Sequence, residues 1–238
     1  MFSTSSKNYG TNALATTAYD DGYTAGGMYY CNGTGGETRR NVTINNVIAG
    51  DKIVVYMASS NAATGTLVFK YLGEDNEQVE KASFTNKGTK YEFVAKYSGS
   101  YKVYTDAAAG KPIYNRIVRI PGVAVSGTID GAQLSGYKVM FKDEANGITY
   151  DADIKGNTFT ATLAAGCNYT AVLSGVAGYG FSNATKNIST TVDEALTGKS
   201  GVTLSIEEKK VYTYTGKVTG FAADYDTSNL SVLSLIHI

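Results

Sequence analysis

Tryptophan is absent from this 238-residue chain, histidine occurs once, and cysteine and proline occur twice each. Two Cys and one His cannot complete the four-ligand site that structural zinc prefers. A nucleophile–His–acid triad would have to use His237, next to the last residue. Charge is sparse too, at 18% of residues, and Lys plus Arg (21) balances Asp plus Glu (21). No net field therefore draws the chain to nucleic acid or anionic lipid. No apolar run approaches the roughly 20 residues of a membrane-spanning helix. Met1 is followed by polar Ser, Thr, Lys and Asn rather than by a secretory signal. Gly33, Gly35 and Gly36 precede a predicted strand, whereas a phosphate-cradling glycine loop opens a helix.

What the chain has in excess is tyrosine (19) and glycine (27), within a composition that is 43% hydrophobic. Tyr favours half-buried strands and Gly favours turns and bulges, so the bias is β, and the apolar content is too high for disorder. Period-two alternation recurs where a 3.6-residue period does not. Phe159, Ala161 and Leu163 alternate with Thr158, Thr160 and Thr162; Ile148, Tyr150, Ala152 and Ile154 alternate with Thr149, Asp151 and Asp153. Lys155-Gly156-Asn157 between them predicts a hairpin. Earlier in the chain, strands are predicted over 41–44, 52–57, 66–72, 91–95, 101–105 and 114–120. The continuous run Ile53-Val54-Val55-Tyr56 predicts a strand covered on both faces.

The length suits two domains of about 100–120 residues. Pro121-Gly122 is the predicted boundary, since Pro closes a ladder and Gly permits a bend. Val125-Ser126-Gly127-Thr128-Ile129-Asp130-Gly131 is echoed by Tyr214-Thr215-Gly216-Lys217-Val218-Thr219-Gly220, as expected of a tandem array. The expectation is thus all-β: tandem antiparallel β-sandwiches, jelly-roll-like over 1–122, then Ig- or prealbumin-like over 123–210. A truncated third β domain would begin over 211–232. The last six residues, Leu233 to Ile238 (LSLIHI), match the translation of a sequencing adapter, so 233–238 is expected to be read-through at a truncated end; the alternative is a genuine terminal strand. Cys31 and Cys167 fall in different domains on this division and are read as buried or idle thiols, a bridge between them depending on geometry.

Val125 to Leu173 resembles the carboxypeptidase regulatory-like (prealbumin-like) sandwich family. The resemblance lies in the opening Val125-x-Gly127-x-Ile129, the Val139–Phe141 strand, the Gly156–Phe159 hairpin and the closing Gly166-Cys167-Asn168-Tyr169. It implies a non-catalytic module appended to secreted or surface proteins. Residues 1–122 followed by this module resemble the accessory region of multidomain pectin-degrading enzymes of anaerobic Gram-positive bacteria. Those matching segments are Arg40–Ile44 with Ala49–Ile53, Tyr91–Phe93 with Ser98–Tyr104, and Lys111–Gly122. This second resemblance implies a secreted or cell-surface chain that binds plant cell-wall polysaccharide, pectin above all. No lyase or esterase domain accompanies it.

Candidate contacts concentrate between Tyr19 and Arg40, where Tyr23, Tyr29, Tyr30, Arg39 and Arg40 are grouped among glycines. Sugar rings dock on flat aromatic faces, and an acidic polymer would pair with Arg through bidentate hydrogen bonds. Packing of a sandwich edge by those tyrosines is the competing reading. Tyr114 and Arg116, placed on one strand face, are a second candidate pair, and Tyr179 is a candidate loop ring. Asp20 and Asp21, ahead of Gly22, are candidate oxygen ligands for a structural Ca²⁺, with solvated turns as the alternative there and at Asp143-Glu144 and Asp224/Asp226. No other cofactor, no nucleic acid and no membrane partner is expected, and the chain is expected to be a monomer. The function read from the sequence is a non-catalytic, glycan-binding accessory region. The alternatives are an adhesin or stalk of Ig-like repeats, with Lys138 as donor of an intramolecular cross-link, and a hydrolase or lyase activity within the first domain.

Overall fold

The computed structural model describes residues 9–10, 17–26, 29–31, 33, 35–59, 64–85, 87–106 and 112–209. The expectations placed on 211–238, including His237, Asp224 and Asp226, lie outside the described residues. The chain is all-β, with one four-residue helix among the described residues. Its first nine strands are β1 (Tyr9–Gly10), β2 (Tyr29–Cys31), β3 (Val42–Val47), β4 (Lys52–Ser59), β5 (Gly65–Tyr71), β6 (Val79–Phe84), β7 (Thr89–Val94), β8 (Gly99–Asp106) and β9 (Pro112–Ile120). Then come β10 (Val123–Gly131), β11 (Lys138–Asp143), β12 (Ile148–Asp151), β13 (Asp153–Lys155), β14 (Thr158–Leu163), β15 (Asn168–Ser174), β16 (Tyr179–Phe181), β17 (Asn187–Ser189), α1 (Glu194–Thr197) and β18 (Lys199–Glu208).

Strands β1 to β9 form two sheets, ordered β1-β2-β9-β4-β7 and β3-β8-β5-β6. From β2 onward the chain changes sheet at every step except the β5–β6 hairpin, which is jelly-roll topology. The core between the sheets holds Ile53, Val55 and Met57 of β4, Leu67 and Phe69 of β5, and Tyr101 and Val103 of β8. Phe69 stacks between Phe93 and Tyr101, with centroids 5.0 and 4.5 Å away. Each such buried side chain contributes roughly 1.5–3 kcal/mol. Strand β4 is buried along its whole length, in keeping with its continuous apolar run.

Strands β10 to β18 form a second pair of sheets, ordered β13-β14-β10-β18-β16 and β12-β11-β15-β17. All pairings are antiparallel except that of β10 with β18, the first and last strands of the unit. The Lys155-Gly156-Asn157 hairpin is present, with Lys155 opposite Thr158. The alternating stretch 148–154 is not one strand, however. It bends at Ala152, so that β12 belongs to one sheet and β13 to the other. Ile148 and Tyr150 still point into the core on one side of the corner and Ile154 packs against it on the other, so alternation survives a change of sheet. Strand β6, whose apolar residues alternate weakly, has no counterpart among the predicted strands.

The chain passes between the two sandwiches through Pro121 and Gly122, beside a carboxylate that is almost fully buried. Asp51, 1% exposed, accepts hydrogen bonds from the Ile48 amide (2.7 Å), the Gly122 amide (3.2 Å) and Arg119 Nε (2.6 Å). Val94 at the end of β7 packs into the second core. Gly50 takes φ +92, and a Cβ there would lie 3.6 Å from the Leu163 backbone and from the Tyr150 ring.

Gly127 shows how closely β10 and β18 run. A Cβ there would lie 1.9 Å from the carbonyl oxygen of Val202, a backbone atom with nowhere to move. Gly127→Ala should therefore destabilise the second sandwich by about 3 kcal/mol, the upper part of the range for overpacked sites. Urea unfolding followed by tyrosine fluorescence measures this, and an unchanged midpoint would contradict the parallel pairing.

Candidate functional site

Odd and even positions of β4 face opposite ways, so Val54 and Tyr56 leave the core side and point outward from their sheet. They do not meet solvent there. Residues 17–25 fold back as a strap, closed by the Ala18–Thr24 bridge and by the Tyr19 amide bonding to the Tyr23 carbonyl (2.8 Å). Tyr19 and Ala25 of the strap pack on Val54 and Tyr56, with Tyr23, Val118 and Ile120 around them. The Tyr19 and Tyr23 rings stack at 5.6 Å, and both meet the Tyr56 ring edge-on, at 5.0 and 4.8 Å.

Cross-strand register brings the charged groups to the same place. Tyr56 lies opposite Lys90 of β7 on one side and Arg116 of β9 on the other. The Tyr56 hydroxyl donates to Asp21 Oδ2 at 2.8 Å, the Tyr23 amide donates to Asp21 Oδ1 at 3.1 Å, and Lys90 Nζ stands 3.6 Å from the same carboxylate. The Tyr19 hydroxyl donates to Asn115 Oδ1 at 2.6 Å. The guanidinium of Arg116 lies 5.1 Å above the Tyr23 ring and 5.8 Å from that of Tyr56. Arg116 is exposed, and among the described residues no carboxylate pairs with it.

Burial and the neighbouring phenols push the Tyr19 hydroxyl far above the usual phenol range. Asp21 is held below the usual carboxylate range, chiefly by the Tyr56 hydrogen bond and then by the Tyr23 amide and Lys90, against a smaller upward push from burial. The ion network continues along β7. Lys90 bonds Glu92 (3.0 Å), and Glu92 bonds Lys52 (3.1 Å). Burial pushes Glu92 up, but the two ammonium groups outweigh it and hold that carboxylate low.

Of the residues singled out in the sequence, the structure brings Tyr23, Asp20, Asp21 and Arg116 together on this face. Arg39 and Arg40 do not join them. Their loop lies on the opposite sheet, where Glu37 bonds Lys70 (2.7 Å) and its carbonyl accepts from Lys102 (3.0 Å). Arg39 is exposed there, and Arg40, at φ +53, lays its guanidinium against Gly33. Tyr29 packs half-buried against the first core, and the Tyr30 side chain lies outside the described residues. Tyr114 and Arg116 do not share a face. The register shifts between Tyr56 and Met57 leave Asn115 as an extra residue, a bulge that turns Tyr114 into the core at 3% exposure and Arg116 outward.

Asp20 and Asp21 do not converge: Asp20 points to Lys87 (3.5 Å), and Asp21 to Lys90 and Tyr56. Among the described residues no three Asp, Glu, His or Cys side chains cluster closely enough to hold one. Asp143 is buried and caps its own turn by accepting from Asn146 (3.1 and 2.7 Å). Tyr179 packs half-buried against the second core, Cys167 is a free thiol, and Lys138 is exposed at the start of β11. The residues that sequence reading missed are Tyr56 and Lys90. Tyr56 sat in a run read as core, although its even parity with Val54 already marked it as facing away from Ile53 and Val55.

Because the folded state lowers the Asp21 pKa, its contribution is full above the ordinary carboxylate range and is lost as pH falls through the lowered folded value. Thermal unfolding of the native protein should therefore fall off more steeply on acidification than that of Asp21→Asn. Parallel pH profiles would show that the strap is not held by this carboxylate. Compared with known protein families and with curated proteins, the chain matches none.

Proposed function

We propose that the chain is a non-catalytic accessory region of a secreted polysaccharide-degrading enzyme, and that its first domain binds acidic plant cell-wall glycan, pectin, on the strapped face. The observation that carries this reading is Arg116. It is an exposed guanidinium, 5.1 Å over the Tyr23 ring and 5.8 Å from that of Tyr56, with no carboxylate paired to it among the described residues. Contact with the two rings restrains the side chain, so less rotamer entropy is lost when its fork grips a carboxylate in two places. The half-buried Tyr23 ring, stacked with Tyr19, is the aromatic surface over which that cation is held. A binding module of this kind acts by raising the local concentration of an attached catalytic domain on its polymer.

The tight junction around Asp51 supports a second reading, a stalk in which sandwiches are joined end to end and bind no glycan. Affinity electrophoresis separates the two. Homogalacturonan in the gel should retard the protein and neutral mannan should not. Arg116→Ala should weaken retention by about 1.5–3 kcal/mol, the usual range for a hydrogen bond to a charged group. Tyr23→Ala, which removes the ring beneath that guanidinium, should cost about 0.5–2 kcal/mol, the range for a cation–π contact. Equal mobility in every polysaccharide gel would favour the stalk.

A further inference from the structure

We infer that the junction of the two domains carries a second binding site, a groove that takes a neutral sugar unit at a chain end or branch. It shares no residue with the strapped face and does not depend on the reading of Arg116.

The groove has a volume of about 500 Å³, within the roughly 300–1,000 Å³ usual for small-molecule sites. Its floor is the outer face of the second domain's five-stranded sheet. Cross-strand register sets Ser126 of β10, Thr160 of β14 and Asp153 of β13 side by side, about 4.8 Å from strand to strand. Ala124 and Thr162 form the next row. The corner at Ala152 supplies one wall, because Thr149 and Asp151, still on the other sheet, border the same space. Ala49 and Lys96 of the first domain close the Thr162 end. They are held there: the Gly50 amide donates to the Ala95 carbonyl at 2.8 Å, and a Cβ on Gly50 would lie 3.6 Å from the Thr162 carbonyl oxygen.

The charges facing this space are unpaired. Among the described residues neither Asp151 nor Asp153 meets an ammonium or guanidinium, and Lys96 meets no carboxylate. Its Nζ lies 5.4 Å from the Tyr97 ring centre instead. Those charges select the ligand. A uronate would bring its carboxylate against two others, and an amino sugar would suit the carboxylates but repel Lys96. A hydroxyl donates to a carboxylate and accepts from an ammonium, so a neutral sugar satisfies both walls. The methyl groups of Ala49 and Ala124 offer its C–H faces a small apolar contact. Tyr150, the ring that borders the groove, is buried, so hydrogen bonds alone hold the sugar. The affinity is then on the order of 1 mM, too weak for neutral mannan to retard the protein in a gel.

Backbone amide chemical shifts of the ¹⁵N-labelled chain read this site. Galactobiose at tens of millimolar should shift the amides of Ser126, Thr149, Asp153 and Thr160, whereas digalacturonate should shift amides around Arg116 and leave these in place. Asp153 and Lys96 are exposed and have no ion partner, so Asp153→Ala and Lys96→Ala should each fold normally and weaken galactobiose about tenfold. Indifference of galactobiose to both variants, or no shift at the four amides, would overturn the groove as a site. Digalacturonate or the glucosamine disaccharide moving those amides as strongly as galactobiose would overturn the neutral class. The two readings fail separately: lost retention on homogalacturonan with the galactobiose shifts intact removes the Arg116 reading alone, and the converse result removes this one alone.

Discussion

The structure depends on one strand being buried on both sides. All eight residues of β4 are buried. Ile53, Val55 and Met57 fill the jelly-roll core, and Val54 and Tyr56 lie beneath the strap. Its position between β9 and β7 fixes which side chains stand beside Tyr56, and a slip of one residue would exchange core and face along the whole strand. The register that builds the hydrophobic core is therefore also what sets Lys90 and Arg116 on either side of Tyr56. Stability and site geometry are one constraint here, and the strap is the component that converts a second apolar strand face into a surface with aromatic and charged groups.

That constraint also explains what the sequence could and could not disclose. Two-residue alternation and the Ile53–Tyr56 run are local properties, and they were enough to read an all-β sandwich chain with a doubly covered strand. The bulge at Asn115 is not local. It exists because β9 must match β4 with one residue to spare, and nothing in Tyr114-Asn115-Arg116 alone tells which of them turns inward. The grouping of Tyr19 to Arg40 failed for the same kind of reason. Nearness in sequence placed the Asp20–Tyr23 turn and the Arg39–Arg40 turn together, while the jelly-roll path delivers them to opposite sheets. The Ala152 corner is a third case, where unbroken alternation conceals a change of partner strands.

The junction adds stiffness to this arrangement. Asp51 receives two backbone amides and a guanidinium with almost no exposure, and removing any donor would leave a buried charge under-satisfied, a costly outcome. One of those amides belongs to Gly122, the residue that leads into the second domain, and Val94 is already inside the second core. The domain interface is thus built from polar satisfaction and packing together.

The electrostatics of the face bear on what sort of work it suits. Each carboxylate and ammonium for which a displacement is evident on it moves further into its charged form, Asp21 and Glu92 downward and Lys90 upward through its bond to Glu92 and its proximity to Asp21, while the Tyr19 and Tyr56 phenols are pushed up and stay neutral. A general acid or base operates with a pKa drawn toward the working pH, because it must both hold and release a proton. Groups driven the other way keep a constant charge pattern across the neutral range. Constant charge suits the proposed recognition of a polymer of fixed charge, in which neither side needs a proton to change hands.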